Sequence, residues 1–265
     1  MRRRLLTTLL MCMPLLAVAD CARPWRVPFE DWRPYAYLDA AGQPAGLEVE
    51  MLAAVAREQG CSVEYVRHVS RNRRLHMLAS GELDLLVAAS YDGPNTPSLA
   101  WYTSAYRHEE FAAFMRADAA RARPAPQTLA HALDDGLRLL AHRGPYVVPL
   151  VAEFERRARL TGFEDYAKGV ELLSLGRGDL LLGDRLAVLY AADAAGVRVV
   201  ELALPVRRDV VAYKLGRKRF DAAGLARFNE ALQRLEARGE LQRIRSRWLG
   251  PAASSPRPAA SAARR

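Results

Sequence analysis

Leu78-Ala79-Ser80-Gly81-Glu82-Leu83-Asp84-Leu85-Leu86 returns later in the chain as Leu173-Ser174-Leu175-Gly176-Arg177-Gly178-Asp179-Leu180-Leu181. Both follow L-x-x-G-x-x-D-L-L: the end of a helix, a glycine that stops it, and an acidic residue opening a short apolar strand. Any protein of alternating strands and helices makes such junctions. Two of them, one in each half, point to two lobes built alike.

Reading outward from the first junction, 25–37 is extended and aromatic, and Asp39-Ala40-Ala41-Gly42 is a polar turn. From Leu47 the spacing becomes helical, with Met51, Leu52, Val55 and Ala56 on one face and Gly60 as the stop. Residues 62–66 alternate as a strand, 74–79 form a short helix, and 84–89 form a buried strand. This alternation indicates an α/β layer with a parallel sheet. Around the second junction the pattern repeats. Thr128 can N-cap a helix through Asp135, with Gly136 as its stop, and 137–141 is a strand. Residues 146–160 read as a helix that tolerates Pro149 in its first turn. Strands at 180–182 and 198–202 flank a helix at 184–195. Leu225, Phe228, Leu232 and Leu235, then Leu241, Ile244, Trp248 and Leu249, mark terminal helices ended by Gly250-Pro251. The Ala/Ser/Pro/Arg-rich stretch 251–265 has nothing to bury and is expected to be a disordered tail.

The composition, 51% hydrophobic and 26% charged over 265 residues, is that of a globular chain with room for two lobes. The formal charge of +9 is concentrated at the ends: Arg2, Arg3 and Arg4 at one, and Arg257, Arg264 and Arg265 at the other. Without those two sets of three the body carries +3, which does not make a nucleic-acid-binding surface. Residues 1–19 read as a signal peptide: the three arginines, an apolar run from Leu5 to Leu16, and Ala17-Val18-Ala19 as the cleavage site. The run is short of the roughly 20 residues needed to span a bilayer, and Asp20 before Cys21 argues against lipid attachment. The expected product is periplasmic, without direct membrane insertion once the leader is cleaved. It keeps two cysteines, Cys21 and Cys61. An even pair in an oxidising compartment suggests one disulfide, the alternative being two unrelated buried thiols.

With these segments in hand, the chain resembles the periplasmic solute-binding proteins of the amino-acid type, family 3. The resemblance runs through Trp32-Arg33-Pro34-Tyr35-Ala36-Tyr37-Leu38-Asp39, Gly46-Leu47-Glu48-Val49-Glu50, Ser80-Gly81-Glu82-Leu83-Asp84 and Tyr102-Thr103-Ser104-Ala105-Tyr106. It closes with Phe228-Asn229-Glu230-Ala231-Leu232, Gly239-Glu240-Leu241 and Trp248-Leu249. It implies a two-lobed type II periplasmic-binding-protein fold, each lobe a mostly parallel sheet flanked by helices, joined by two crossing strands near 111–115 and 210–214. Lobe one would be 20–112 plus 210–250, and lobe two 113–209. In that topology the strands carrying Cys21 and Cys61 lie side by side, which favours the disulfide.

The resemblance also implies a ligand site between the lobes. Tyr35, with Trp32 nearby, offers an aromatic face, the alternative for Tyr35 being core packing. Ala89, Ser90 and Tyr91 match the stretch whose backbone and hydroxyls hold the ligand. Arg143, Gly144 and Tyr146 stand at a helix start in lobe two, a place suited to an anion. Asp184 matches the carboxylate that receives a ligand ammonium, and it can equally cap the helix it opens. Family members that grip an α-carboxylate carry an Arg where this chain has Thr96, and the second-lobe Gly-Thr pair is replaced by Gly144-Pro145. Arg73, in Arg71-Asn72-Arg73-Arg74, is a candidate substitute or part of a solvated basic surface.

The expected function is therefore capture of a small polar solute, amino-acid-like or a related amine or organic acid, by hinge closure. The partner would be a membrane ABC transporter permease, and the protein would act as a monomer. A sensing module for a membrane receptor is the second reading. A third is a cyclohexadienyl (prephenate or arogenate) dehydratase-like enzyme drawing on His108, Glu109 and Glu110. The residues carry no catalytic, cofactor or phosphate-loop spacing, and the five histidines are not spaced as metal ligands.

Overall fold

The computed structural model describes residues 21–69, 73–89, 99–122, 124–143, 149–204 and 207–249. The expected leader and tail lie outside them. In chain order the first part holds β1 (Trp25–Pro28), β2 (Tyr37–Leu38), β3 (Pro44–Ala45), α1 (Leu47–Glu58), β4 (Val63–Val66), α2 (Arg74–Ser80), β5 (Leu85–Ala89) and β6 (Ala100–Tyr102). Then come β7 (Arg107–Arg116), α3 (Ala117–Ala122), α4 (Leu129–Asp134), β8 (Leu139–His142), α5 (Leu150–Arg156), β9 (Leu160–Phe163) and α6 (Tyr166–Ser174). They are followed by β10 (Leu180–Asp184), α7 (Arg185–Ala194) and β11 (Val199–Glu201). Last are β12 (Arg207–Gly216), α8 (Ala222–Ala237) and α9 (Glu240–Leu249).

The repeated junction is one structural device used twice. Gly81 and Gly176 both take positive φ, 84° and 65°, which a glycine adopts without strain. Three residues on, Asp84 accepts the Arg26 N–H at 2.8 Å and returns its own N–H to the Arg26 carbonyl. Asp179 does the same with the N–H and carbonyl of Arg138. Each carboxylate also takes a two-pronged guanidinium, from Arg23 and from Arg138 respectively. The acidic residue thus staples the opening of a buried strand to its neighbour, and the spacing seen in the sequence is the spacing this clamp requires.

Two cores result. β1 and β4 pair in parallel, with Trp25 opposite Val63. Over them lies the predicted face of α1 (Met51, Leu52, Val55, Ala56), joined by Leu47 and packed with Trp25, Tyr213 and Phe228. The second core is built on β7, β10, β8 and β9, where β10–β8 and β8–β9 are parallel and β10–β7 is antiparallel. Successive residues serve opposite faces of this sheet. Leu139, Leu180 and Leu182 pack with Phe154 on one face, while Leu140 and Leu181 pack with Val170 and Val188 on the other. That is why its strands read as unbroken apolar runs. β7 and β12 join the two halves. They pair antiparallel from Arg107 opposite Val211 to Phe111 opposite Arg207. They then part, β7 toward β10 and β12 toward β5 and β6.

Two stretches depart from expectation. The helix expected over 146–160 is α5, ending at Arg156; Ala158 turns at a φ of 53° and β9 starts at Leu160. The left-handed turn at Ala158 ends the helix early, and Leu160-Thr161-Gly162-Phe163 pairs with β8. The aromatic stretch 25–37 is a strand only to Pro28; beyond it Trp32 bridges back to Ala36 and the chain turns inward.

Cys21 and Cys61 are joined by a disulfide. Closing a loop across 40 positions stabilises the fold by about 4 kcal/mol in the chain-entropy model. Gly46 sets a second constraint. Its φ is 122°, and a Cβ there would stand 2.4 Å from the Tyr35 carbonyl oxygen. This close approach lets the carbonyls of Pro34 and Tyr35 accept the first N–H groups of α1, from Leu47 at 3.1 Å and Glu48 at 2.9 Å. Gly46→Ala is expected to cost at least about 2 kcal/mol, read as a lower urea midpoint, with the Tyr35 turn displaced.

Candidate functional site

The turn held against α1 delivers Tyr35 to the boundary between the two cores. Its ring is only 2% exposed and lies 4.2 Å, centroid to centroid, from that of Trp32. Its hydroxyl donates to the Asp184 carboxylate, 2.9 and 2.8 Å from the two oxygens. Asp184 ends β10 and N-caps α7, accepting the Ala187 N–H at 2.8 Å, while its own N–H donates to the Tyr166 hydroxyl. Tyr35 belongs to the core under α1, and Asp184 to a strand of the second sheet. Both alternatives for these residues hold together: Tyr35 packs in a core, Asp184 caps a helix, and the two meet.

Behind Tyr35 lies a buried ion pair that sequence reasoning does not single out. Arg107, the first residue of β7, donates from Nε to Glu48 Oε1 at 2.5 Å, with both side chains almost wholly buried. The Tyr106 hydroxyl donates to the other Glu48 oxygen at 2.5 Å and accepts the Ala88 N–H at 3.0 Å. Ala88 has a φ of 49°, an uncommon conformation for a residue with a Cβ. Tyr106 stacks on Tyr213 at 4.1 Å. The Arg107 guanidinium also sits 4.6 Å from the Tyr35 ring centroid, a cation–π contact. The signal for Arg107 is strand parity: in β7, Arg107 and Glu109 fall on the buried side and His108 on the exposed side.

Burial governs the electrostatics. The Asp184 carboxyl is raised above its ordinary value by burial, with the Ala187 N–H, Arg107 and Tyr35 opposing the shift. Glu109 is pushed up to about 7, by burial first and then by the charges of Asp184, Glu48 and Asp209, against the pull of Arg107. His108 is lowered by its partial burial and by Arg208. His108 and Glu110 share the face of β7 opposite Glu109, and Glu110 lies 3.5 Å from Arg208. The three do not converge as a general-acid group.

Of the other expected ligand contacts, Ala89 ends β5 and pairs through its backbone register with Ala212. Arg73 precedes α2 and is exposed. Arg143 lies just past β8; its N–H bonds to the Phe163 carbonyl and its Nε reaches the Gly162 carbonyl at 3.4 Å. Its stem covers Gly162, where a Cβ would meet Arg143 Cγ at 2.7 Å. Ser90, Tyr91, Thr96, Gly144 and Tyr146 lie outside the described residues. A cavity of about 340 Å³ opens beside the connecting strands and reaches Tyr35 and Asp184. Its other walls come from the start of β7 and from α7, α8 and α9, and Trp32, Arg73 and Arg143 do not line it. Among the described residues no cluster of three or more His, Cys, Asp or Glu could hold a metal ion. No helix among them is long and apolar enough to cross a membrane.

Residues 27–251 match the model of the bacterial extracellular solute-binding proteins, family 3. No curated protein matches the chain. Among solved structures, a histidine kinase sensor domain with similarity to periplasmic binding proteins is 25% identical, with a TM-score of 0.70 over 87% of this chain and 97% of that one. An ancestral cationic amino acid solute-binding protein is 18% identical, with a TM-score of 0.69 over 85% and 95%. A substrate-binding protein of an ABC uptake transporter from Streptococcus pneumoniae, with bound histidine, is 19% identical, with a TM-score of 0.66 over 87% and 94%. These neighbours carry the two-lobed periplasmic-binding fold.

Proposed function

Because the chain belongs to the bacterial extracellular solute-binding proteins, family 3, we propose that it captures a small polar solute of the amino-acid or amine class outside the cytoplasm and hands it to a membrane ABC transporter. Residues 20–112 and 210–250 form one lobe and 113–209 the other, and the protein is exported by a cleaved leader. The ligand closes the hinge because it touches both lobes only when they are together.

The observation that carries this reading is the buried contact from Tyr35 to Asp184. It joins the two cores at the place where the resemblance expects a ligand ammonium. Burial raises the Asp184 carboxyl, and α7's N–H groups and Arg107 oppose that shift. The protein acts by binding rather than by chemistry on its ligand.

The likeness to a sensor domain supports a second reading, in which the same closure is reported to a membrane receptor. Thermal unfolding against amino acids, polyamines, opines, organic acids and prephenate tests the binding itself. A ligand at a thousand times its dissociation constant stabilises by about 4 kcal/mol, a rise of about 8–16 °C for a chain of this size. A rise with an amine or amino acid recovered intact is the expected result. Consumption of prephenate would overturn it in favour of an enzyme, and co-purification with a kinase in place of a permease would favour the sensor.

A further inference from the structure

The five rungs at which β7 and β12 pair carry a charge arrangement that solute capture does not use. Glu109 and Asp209 form the middle rung, directly opposite one another. Residues so placed on antiparallel strands share a face, and like charges there repel. By the alternation of the strand, Arg107 and Phe111 stand on the same face of β7 as Glu109. Phe111 is in register with Arg207 on one side and with Asp184 on the other, which brings the Asp184 position of β10 onto that face too.

Other elements close over this face. α1 brings Glu48, and the turn before it brings Tyr35. Among the described residues, the charged and titratable groups that act on Glu109 are thus Arg107, Asp184, Glu48, Asp209 and Tyr35. Glu109 itself is only 8% exposed. Arg107 gives it little relief, because its Nε is committed to Glu48 and its guanidinium lies over the Tyr35 ring. His108, Glu110 and Arg208 stand on the opposite face, where Glu110 and Arg208 lie 3.5 Å apart. An ionised Glu109 therefore meets three carboxylates in a buried place. Those charges and burial are what push its carboxyl up to about 7. Asp184 comes from the second sheet, whereas Glu48 and Tyr35 stand with the first core, so the crowding is complete only where the two halves meet.

We propose that Glu109 is a proton-operated switch in the connecting strands: protonated, it lets β12 lie against β7 and Asp184 approach Tyr35, and ionised, it drives the two halves apart. Bringing the halves together crowds the carboxyl and favours its protonation, so by linkage protonation favours the halves together. The sign is definite. A carboxyl raised on folding from its ordinary 4.5 to about 7 adds stability that is full below the lower value and is lost as the pH rises through the higher one. The switch needs no ligand and does not depend on what the cleft takes.

Thermal unfolding and small-angle X-ray scattering of the ligand-free, whole protein between about pH 5 and pH 8 test it. The unfolding midpoint is expected to fall by at least about 4 °C as the pH rises across that window, and the radius of gyration to rise with it. Glu109→Gln, which keeps the size of the protonated side chain, is expected to remove both changes and to be as compact at the upper pH as the natural protein is at the lower. Asp209→Asn, which removes the charge opposite, is expected to move the transition to higher pH values of neither protein but toward acid, since Glu109 then ionises more readily. His108 cannot imitate the profile: its lowered value costs stability toward acid, the reverse sign. An unfolding profile unchanged in Glu109→Gln overturns the proposal. So does a transition unmoved in Asp209→Asn. A radius of gyration independent of pH overturns it as well, leaving Glu109 a buried acid with no hold on the two halves.

Discussion

Glu48→Ala lowers stability by about 3–5 kcal/mol, the cost of leaving one partner of a buried ion pair uncompensated. At about 2–4 °C per kcal/mol for a chain of this size, the unfolding midpoint drops by about 6–20 °C. The reason is local. Glu48 accepts from Arg107 Nε and from the Tyr106 hydroxyl. Without it Arg107 keeps only the His108 carbonyl as a hydrogen-bond acceptor, and Tyr106 keeps only the Ala88 N–H. The double variant Glu48→Leu/Arg107→Leu discriminates between a missing charge and a missing side chain. Burying two well-packed apolar groups is often neutral or stabilising by about 1–4 kcal/mol, so the double variant unfolds closer to the natural protein than Glu48→Ala does. Urea midpoints for the three proteins decide it. A Glu48→Ala loss under about 1 kcal/mol, the range of exposed pairs, would mean that the pair is solvated.

Nothing local in the sequence marks this pair. Glu48 stands in the first turn of α1, where an acidic residue needs no further explanation, since it suits the helix dipole. Arg107 opens a run of polar residues, Arg107-His108-Glu109-Glu110, that reads as a solvated strand start. Only the parity of β7 turns Arg107 and Glu109 inward, and parity becomes readable once the strand's length and its partner β12 are known. Features carried by local chemistry are legible. The L-x-x-G-x-x-D-L-L clamp, the Thr128 cap on α4 and the apolar face of α1 all depend on neighbours a few residues away. Ala158, in contrast, takes the left-handed turn without a glycine to announce it, so the strand after it is hidden inside an apparent helix.

The candidate site is legible to the same degree. Tyr35 and Asp184 are marked by the resemblance to a family, and their hydrogen bond joins residues 149 positions apart. The α8–α9 wall of the cavity is not marked. Leu232 and Leu241 look like any helix face turned to a core, and half of that reading is right. What the sequence does not carry is that one edge of this face stays open toward Arg107 and the start of α7.

On the proposed reading, Asp184→Asn is expected to weaken an amino-acid or amine ligand by about fiftyfold or more, in the range found when one partner of a buried, hydrogen-bonded charge pair is removed. An ionised carboxylate offers about four lone-pair sites. Those of Asp184 accept from the Tyr35 hydroxyl and the Ala187 N–H, which leaves acceptor capacity for an ammonium. The asparagine can still cap α7, so the fold tolerates the change while the charge is removed. The pH dependence has a definite sign. Burial raises the Asp184 carboxyl, an ammonium beside it lowers it again, and binding therefore releases a proton as the pH falls through the raised value. Affinity for a cationic ligand then declines toward acid in the natural protein, and that part of the decline vanishes in Asp184→Asn. Tyr35 separates two contributions. Tyr35→Phe keeps the ring against Trp32 and under Arg107 and removes only the hydroxyl donor. Tyr35→Ala removes the ring as well and weakens binding at least about tenfold, the combined worth of aromatic packing and a cation–π interaction at a buried site. Calorimetric titration across pH reads all three variants. If Asp184→Asn binds the same amino acid within twofold and with the same pH profile, the ligand ammonium is not at Asp184, and the Tyr35–Asp184 hydrogen bond is a tie between the lobes alone.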